Sequence, residues 1–268
     1  MKIALLTSTS YRHKFIASQL NSNHEVVLIV TEDKSRKIED ASTYSTEDQS
    51  FLRKHFEDRG LSEQEYFGEH SKFPEAIPHL SVPHGDINKA YVYNLVKELD
   101  PDMVMLFGTS IIRGELLKSY DGKMINLHLG LSPYYKGSAT NLFPVADGNL
   151  ECVGSTIHVV SAQVDAGDIL HQVRPELEHS DTLHDLGNKV ILESGKVIGE
   201  LIESYYNGDL NPVKQEKYEG AKICRIKNVT PDLTRRAYQN IESGAIKKFL
   251  EDRTSRLSIT PIVDYFNS

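Results

Sequence analysis

Two short runs decide the fold: Lys2-Ile3-Ala4-Leu5-Leu6-Thr7 and Glu25-Val26-Val27-Leu28-Ile29-Val30-Thr31. Both are apolar and too short for buried helices, and the second is β-branched, so each reads as a strand buried on both faces. Between them Ser8-Thr9-Ser10 marks a turn, and a helical pattern follows as far as Leu20. Strand, helix and strand in that order make a βαβ unit, which needs a parallel sheet with helices on its faces. The expected class is α/β, a doubly wound and mostly parallel sheet.

The pattern continues outward from this unit. A polar, charge-rich excursion occupies about 32–75. In it Thr46 with Gln49, and Ser62 with Glu65, make capping-box patterns, the first ahead of a helix over 50–59. The excursion is either a solvated helical insertion or a flap on the substrate side. Pro74, Pro78 and Pro83 punctuate the return. A helix is expected over 86–99, a central strand over 103–107, a short helix over 112–120, and strands over 124–129 and 153–160. The longest helix is expected over 180–206, with Thr182 and Asp185 at its start and Asn207-Gly208 at its end. We divide the chain into a main α/β domain, 1–208, and a small C-terminal extension, 209–268. From Asn207 onward eleven Lys/Arg face eight Asp/Glu. A helical pattern runs there from Thr230-Pro231 to Arg253, which suits packing on the sheet or a homodimer interface equally.

Composition narrows the function. The chain has 268 residues, 39% hydrophobic and 25% charged, ordinary values for a globular protein. A net charge of −8 argues against broad nucleic-acid binding, which demands a basic surface. Cys152 and Cys224 are too few for a disulfide scaffold and suit reduced thiols. The start lacks a secretory pattern and no run is long enough for a membrane span, so a cytoplasmic location is expected. No GxGxxG opens a helix, and neither a Walker A loop nor HExxH occurs. No metal site is expected. His179 and His184, at or before the long helix, are expected to be solvated.

Chemistry concentrates in two places. In Asn126-Leu127-His128-Leu129-Gly130-Leu131-Ser132-Pro133-Tyr134-Tyr135-Lys136-Gly137, alternation along a strand puts Asn126 and His128 on one face. Ligands of doubly wound sheets sit at the carboxyl ends of strands. The pair is therefore either a ligand site or a satisfied core pair. The second place is Val164-Asp165-Ala166-Gly167-Asp168, which taken alone also describes an ordinary turn.

Together, NxHxGxSPxYxG and VDxGD resemble the formyltransferases that use 10-formyltetrahydrofolate: the glycinamide ribonucleotide, methionyl-tRNA and sugar N-formyltransferases. The likeness is good over 102–206, general over the opening βαβ unit, and poor over 32–75 and the C-terminal extension. It implies the Rossmann-like formyltransferase fold and places the family's catalytic residues on Asn126, His128 and Asp165. It further implies that 10-formyltetrahydrofolate, the formyl donor, is held largely by backbone of two loops. Here those give Leu106, Phe107, Gly108, Thr109, Ile111 and Ile112 on one side, and Ala162, Val164 and Asp168 on the other.

These residue types suit formyl transfer to an amine through a tetrahedral intermediate. Asn126 and His128 can donate to the developing oxyanion, each such donor being worth about 10²–10³ in rate. Asp165 can accept the amine's proton or hold His128 in its working state, worth about 10²–10⁴.

The acceptor is less defined. Methionyl-tRNA formyltransferases carry a larger basic C-terminal domain. Glycinamide ribonucleotide formyltransferases use a Gly-rich first turn where this chain has Thr7-Ser8-Thr9-Ser10. Formyltetrahydrofolate hydrolases carry an additional domain in front. The sugar N-formyltransferases fit best, so the expected partner is a small-molecule amine, a nucleotide-linked amino sugar. Ser10, Ser132, Tyr134, Tyr135 and Lys136 are the expected substrate contacts, although the tyrosines also suit plain loop packing. A folate-binding regulatory protein is the non-enzymatic alternative, and it has no need of both His128 and Asp165.

Overall fold

The structure is a computed structural model that describes residues 1–34 and 43–266. In chain order it contains β1 (Lys2–Thr7), α1 (Tyr11–Asn23), β2 (Glu25–Glu32), α2 (Thr46–Phe67), β3 (His79–Val82), α3 (Ala90–Leu99), β4 (Met103–Leu106), α4 (Gly114–Ser119) and β5 (Met124–His128). There follow β6 (Tyr135–Gly137), α5 (Leu142–Asp147), β7 (Ser155–Val159), β8 (Ile169–Val173), α6 (Leu183–Asn207), β9 (Lys222–Cys224), α7 (Pro231–Glu242), α8 (Ala245–Glu251) and α9 (Arg253–Ser258).

The main sheet has the order β3-β2-β1-β4-β5-β7-β8, and β6 pairs with β9 in a separate two-stranded sheet. The strands from β3 across to β5 are parallel, as the βαβ pattern requires. The strand expected over 153–160 is β7, and it runs antiparallel to β5. Ile169 and Leu170 open β8, antiparallel to β7, a strand the sequence reading did not separate from the loop before it.

Each face of the sheet has its own core. On one, Ile3, Leu5, Met105, Ile125 and Leu127 meet Ile16 and Leu20 of α1 and Ile198 and Leu201 of α6. On the other, Ala4, Leu6, Val104 and Leu106 meet Val92 and Val96 of α3 and Leu116 of α4. Helix α6 begins and ends as its sequence requires. Thr182 and Asp185 form a reciprocal capping box, and Gly208 closes the helix with a left-handed φ of 80°.

Three readings need correction. The helix expected over 50–59 is the single α2, capped by Ser45 rather than Thr46, with the Ser45 hydroxyl accepting from Asp48 N at 3.2 Å. Gly60 costs an interior helix about 1 kcal/mol. Burial of Leu52 and Phe67 along α2 offsets that cost, and the buried Glu63 carboxylate is paired with Arg12 of α1. Part of the expected excursion, 35–42, lies outside the described residues. The C-terminal helical pattern breaks into α7, α8 and α9, the first break at Gly244 with φ 85°. His184 is not solvated but half-buried, with Nε2 3.0 Å from the Tyr238 hydroxyl.

The chain beyond α6 packs on the rest. Asn240 of α7 donates to the Val145 and Ala146 carbonyls of α5. The last described residues run along β8, with Gln172 N donating to Val263 O at 2.7 Å. Among the described residues no helix is long and apolar enough to cross a membrane.

Candidate active site

The alternation of β5 sends Ile125 and Leu127 into the core under α1 and α6, and Asn126 and His128 to the opposite face. That face is roofed by helices α3 and α4 over β1 and β4. Over β5 and β7 two loops, 130–137 and 161–168, close on it instead. The site therefore lies on the sheet face along β5, not only beyond the strand's carboxyl end as the general rule suggests.

Loop 161–168 folds back so that Asp165 reaches the imidazole. Asp165 Oδ1 is 3.5 Å from His128 Nδ1, and its Oδ2 accepts from Gly137 N at 2.8 Å. Asp165 has φ 48°, a left-handed conformation that aspartate tolerates better than most residues. Two glycines make the approach possible. A Cβ on Gly167 would lie 1.6 Å from Val159 O, and one on Gly137, at φ 105°, would lie 2.2 Å from Cys224 O. The sequences Asp165-Ala166-Gly167 and Lys136-Gly137 are thus fixed by the packing of the two loops.

His158 of β7 is a site residue that the sequence reading missed. It sits directly across from Asn126 in the ladder. Its Nδ1 donates to Val159 O at 2.9 Å, so its Nε2 carries the lone pair and accepts from Asn126 Nδ2 at 3.1 Å. Burial pushes the His158 imidazole down to about 4, against the opposing pull of that carbonyl contact. A neutral His158 cannot donate to Asp165, which lies 3.8 Å from Nε2. Its available signals were a histidine within the β-branched run 153–160 and the alternation that pairs it with Asn126.

His128 is buried, and its Nε2 faces Tyr135 O at 3.4 Å and the Thr140 hydroxyl at 3.5 Å. With Asp165 on Nδ1, both ring nitrogens face acceptors. An imidazole that holds and passes on a proton needs such surroundings. Lys136 is half-buried beside Asp165. Burial lowers its ammonium from the ordinary range, and the carboxylate opposes that shift.

The structure distributes the remaining expected contacts unevenly. Leu106 is the cross-strand neighbour of Asn126 on the site's face. Phe107 is buried on the other face, against His13 at 4.8 Å between rings, and Ile112 is buried beneath α4. Gly108 offers its carbonyl to Lys34 Nζ at 2.5 Å, and Thr109 lies partly exposed beside it. Glu32 braces this loop, accepting from Ser110 N at 2.6 Å and from Gly85 N at 2.7 Å. Ile111 and Val164 are exposed at 46% and 48%, and Ala162 is exposed next to Val164. Asp168 acts through its backbone, accepting from Val159 N.

Ser132 is fully buried. Its hydroxyl donates to Asp165 O at 3.4 Å, and its carbonyl accepts from Gln172 Nε2 at 2.6 Å. Tyr134 and Tyr135 pack in a small cluster with Leu131, Cys152 and Cys224. The Tyr134 hydroxyl donates to Pro261 O and that of Tyr135 to Asp147, so loop packing accounts for both. Ser10 caps α1 beyond β1, two strands from β5, and makes no side-chain capping bond. Both cysteines are buried free thiols, and no group of three or more His, Cys, Asp or Glu among the described residues could hold a metal ion.

Known proteins share this arrangement of strands. The structure superposes on phosphoribosylglycinamide formyltransferase from Anaplasma phagocytophilum with a TM-score of 0.55 and 17% identity, covering 83% of this chain and 97% of that one. It superposes on WlaRD, a sugar 3N-formyl transferase, with a TM-score of 0.56 and 15% identity, covering 89% and 79%. At such identities the likeness is one of fold. In sequence, the chain is 32% identical over 137 residues to the methionyl-tRNA formyltransferase of Bacillus thuringiensis (strain Al Hakam). That match covers 50% of this chain and only 43% of the relative's length. The family model described as formyl transferase runs from β1 into α6, matching residues 1–202, and the chain belongs to that family.

Proposed function

We propose that the protein transfers a formyl group from 10-formyltetrahydrofolate to the primary amine of a nucleotide-linked amino sugar. The observation that carries this reading is the meeting of Asn126 and His128, neighbours on one face of β5, with Asp165 from the 161–168 loop on one loop-roofed patch of sheet. 10-Formyltetrahydrofolate, when bound, supplies a carbonyl carbon already attached to a displaceable nitrogen. Residues 108–111 and 161–164 are suited to hold it, because the exposed Ile111 and Val164 offer apolar contact to a flat heterocycle beside open backbone.

The protein's own groups then divide the work. His158 occupies one N–H of the Asn126 amide and so fixes its plane. The other N–H is left to donate to the formyl oxygen as negative charge develops there. His128 supplies a second hydrogen bond to that oxygen or a proton to the departing folate nitrogen, and Asp165 takes the proton of the incoming amine or orients the His128 ring. Gly137 N–H anchors the far carboxylate oxygen of Asp165, which leaves the near one toward the imidazole.

Two features favour a small acceptor. Five of the eleven Lys/Arg beyond Asn207 are held on carboxylates of the main domain: Lys222 and Arg236 on Asp147, Arg235 on Asp48, Arg253 on Glu176 and Arg256 on Glu151. They are therefore poorly placed to hold a phosphate backbone. Lys136 beside Asp165 provides a cation within the site itself. The similarity to a methionyl-tRNA formyltransferase keeps one second reading, methionyl-tRNA as acceptor. Incubation with 10-formyltetrahydrofolate and a panel of nucleotide-linked amino sugars, glycinamide ribonucleotide and methionyl-tRNA separates them. Formylation confined to amino sugars is expected. Formylation of either other acceptor alone overturns the sugar reading, and turnover with none of them overturns the enzyme reading.

A further inference from the structure

Beyond α6, the chain reaches back to the turn that carries Asp165. Val213 bridges to Ile169 through two backbone bonds of 2.7 Å each, which fixes the register at the start of β8. Two residues on, Gln215 extends its amide under the turn. Its Nε2 donates to Asp165 O at 3.0 Å and to Gly167 O at 2.8 Å. Both partners are carbonyls, so the nitrogen must face them and the orientation of the amide is forced. The cost is visible at the other end of the group: Gln215 Oε1 is buried without a hydrogen-bond partner. An unsatisfied buried oxygen calls for an explanation, and the position of Nε2 supplies one.

We infer that Gln215 is a positioning residue for Asp165: its amide spans the left-handed turn and holds the carboxylate at His128. Asp165 sits at φ 48°, a conformation that needs support from its surroundings. Gly137 N–H grips the side chain of this residue, and Gln215 together with the Ser132 hydroxyl grips its backbone. Of these, Gln215 alone also ties the carbonyl of Gly167, two residues further along the turn. Without the amide, two carbonyls lose a donor and the turn is free to relax away from the imidazole. Small misplacements of a catalytic group are costly, about 10²-fold for 1 Å.

This inference rests on the catalytic role proposed for Asp165, and the test separates the two. In the full chain, Gln215→Met keeps length and volume and removes both donors. Backbone ¹⁵N relaxation of Asp165, Ala166 and Gly167 is expected to fall from order parameters of about 0.85 toward about 0.6, with the melting temperature little changed. Unchanged order parameters overturn the clamp whatever the reaction is. In turnover, kcat is expected to drop at least about 10-fold with the KM of the acceptor unchanged. The same substitution in an Asp165→Asn background is expected to cost nothing more, because there is no carboxylate left to place. Fully additive losses overturn the positioning role. If Asp165→Asn leaves turnover intact, the catalytic reading fails while the relaxation data still decide the clamp.

Discussion

One face of the sheet is roofed in two ways. Over β1 and β4, α3 and α4 seal an apolar layer of Leu6, Val104, Val96 and Leu116. Over β5 and β7, two loops cover Asn126, His128 and His158. A helix presents a row of side chains and no free backbone, because its amides and carbonyls are spent internally. A loop brings backbone donors such as Gly137 N–H and can be shaped around single polar groups. The polar part of the face therefore lies where loops supply the cover. Stability should depend on the first region and chemistry on the second.

Substitutions can break that division. His128→Ala and Asp165→Asn are each expected to reduce turnover by about 10²–10⁴ while leaving the melting temperature close to that of the parent. Steady-state kinetics beside calorimetry checks this, and a variant that unfolds without a rate defect on the folded fraction contradicts it. Asn126→Ala should reduce kcat by about 10²–10³ through loss of one hydrogen bond to the developing oxyanion. Under the helices the outcome reverses. Leu116→Ala, at a position 2% exposed, should destabilise the fold by about 2–5 kcal/mol in a denaturant titration and leave kcat of the folded enzyme unchanged.

The smallest effect sharpens the comparison through pH. His55 of α2 and His184 of α6 share the Tyr238 hydroxyl of α7, and burial pushes both imidazoles down to about 4. Unfolded, each titrates near 6.5. Between those values the unfolded chain binds protons that the folded one refuses. The contribution of these residues is complete above pH 6.5 and is lost as pH falls toward 4. Thermal melts from pH 7.5 to 4.5 should show a falling melting temperature, with a flatter profile for the His55→Phe, His184→Phe double variant. His158, also held down to about 4, adds to the same slope from inside the site.

What the sequence made legible follows from the range of the forces involved. The opening βαβ unit rests on local patterning, and so do the ends of α6, where Thr182, Asp185 and Gly208 satisfy backbone groups next to them. The catalytic grouping of Asn126, His128 and Asp165 is what the motif resemblance implies; the structure sets Asp165 against His128 and bonds Asn126 to His158. The direction of β7 was not legible, since an antiparallel strand and a parallel one share the same run of β-branched residues. The role of His158 depends on that direction, because only the register with β5 places it against Asn126. The continuity of α2 through Gly60 depends on contacts with α1 and α6, remote in sequence. Tyr134 and Tyr135 illustrate the converse: a motif-like pair in a loop turned out to be consumed by packing against Cys152 and Cys224.

The pairing of β6 with β9 carries one more consequence. Gly137, which holds Asp165, lies on the strand that Cys224 secures, and Ser138 N donates to Cys224 O at 2.9 Å. A ribosome releases Asn126, His128 and Asp165 well before residues 215–224, so the pocket reaches its finished shape late in synthesis, after most of the sheet can have folded. A nascent chain halted at the end of α6 would already carry Asn126, His128 and Asp165 and still lack the strand that secures Gly137 beside Asp165.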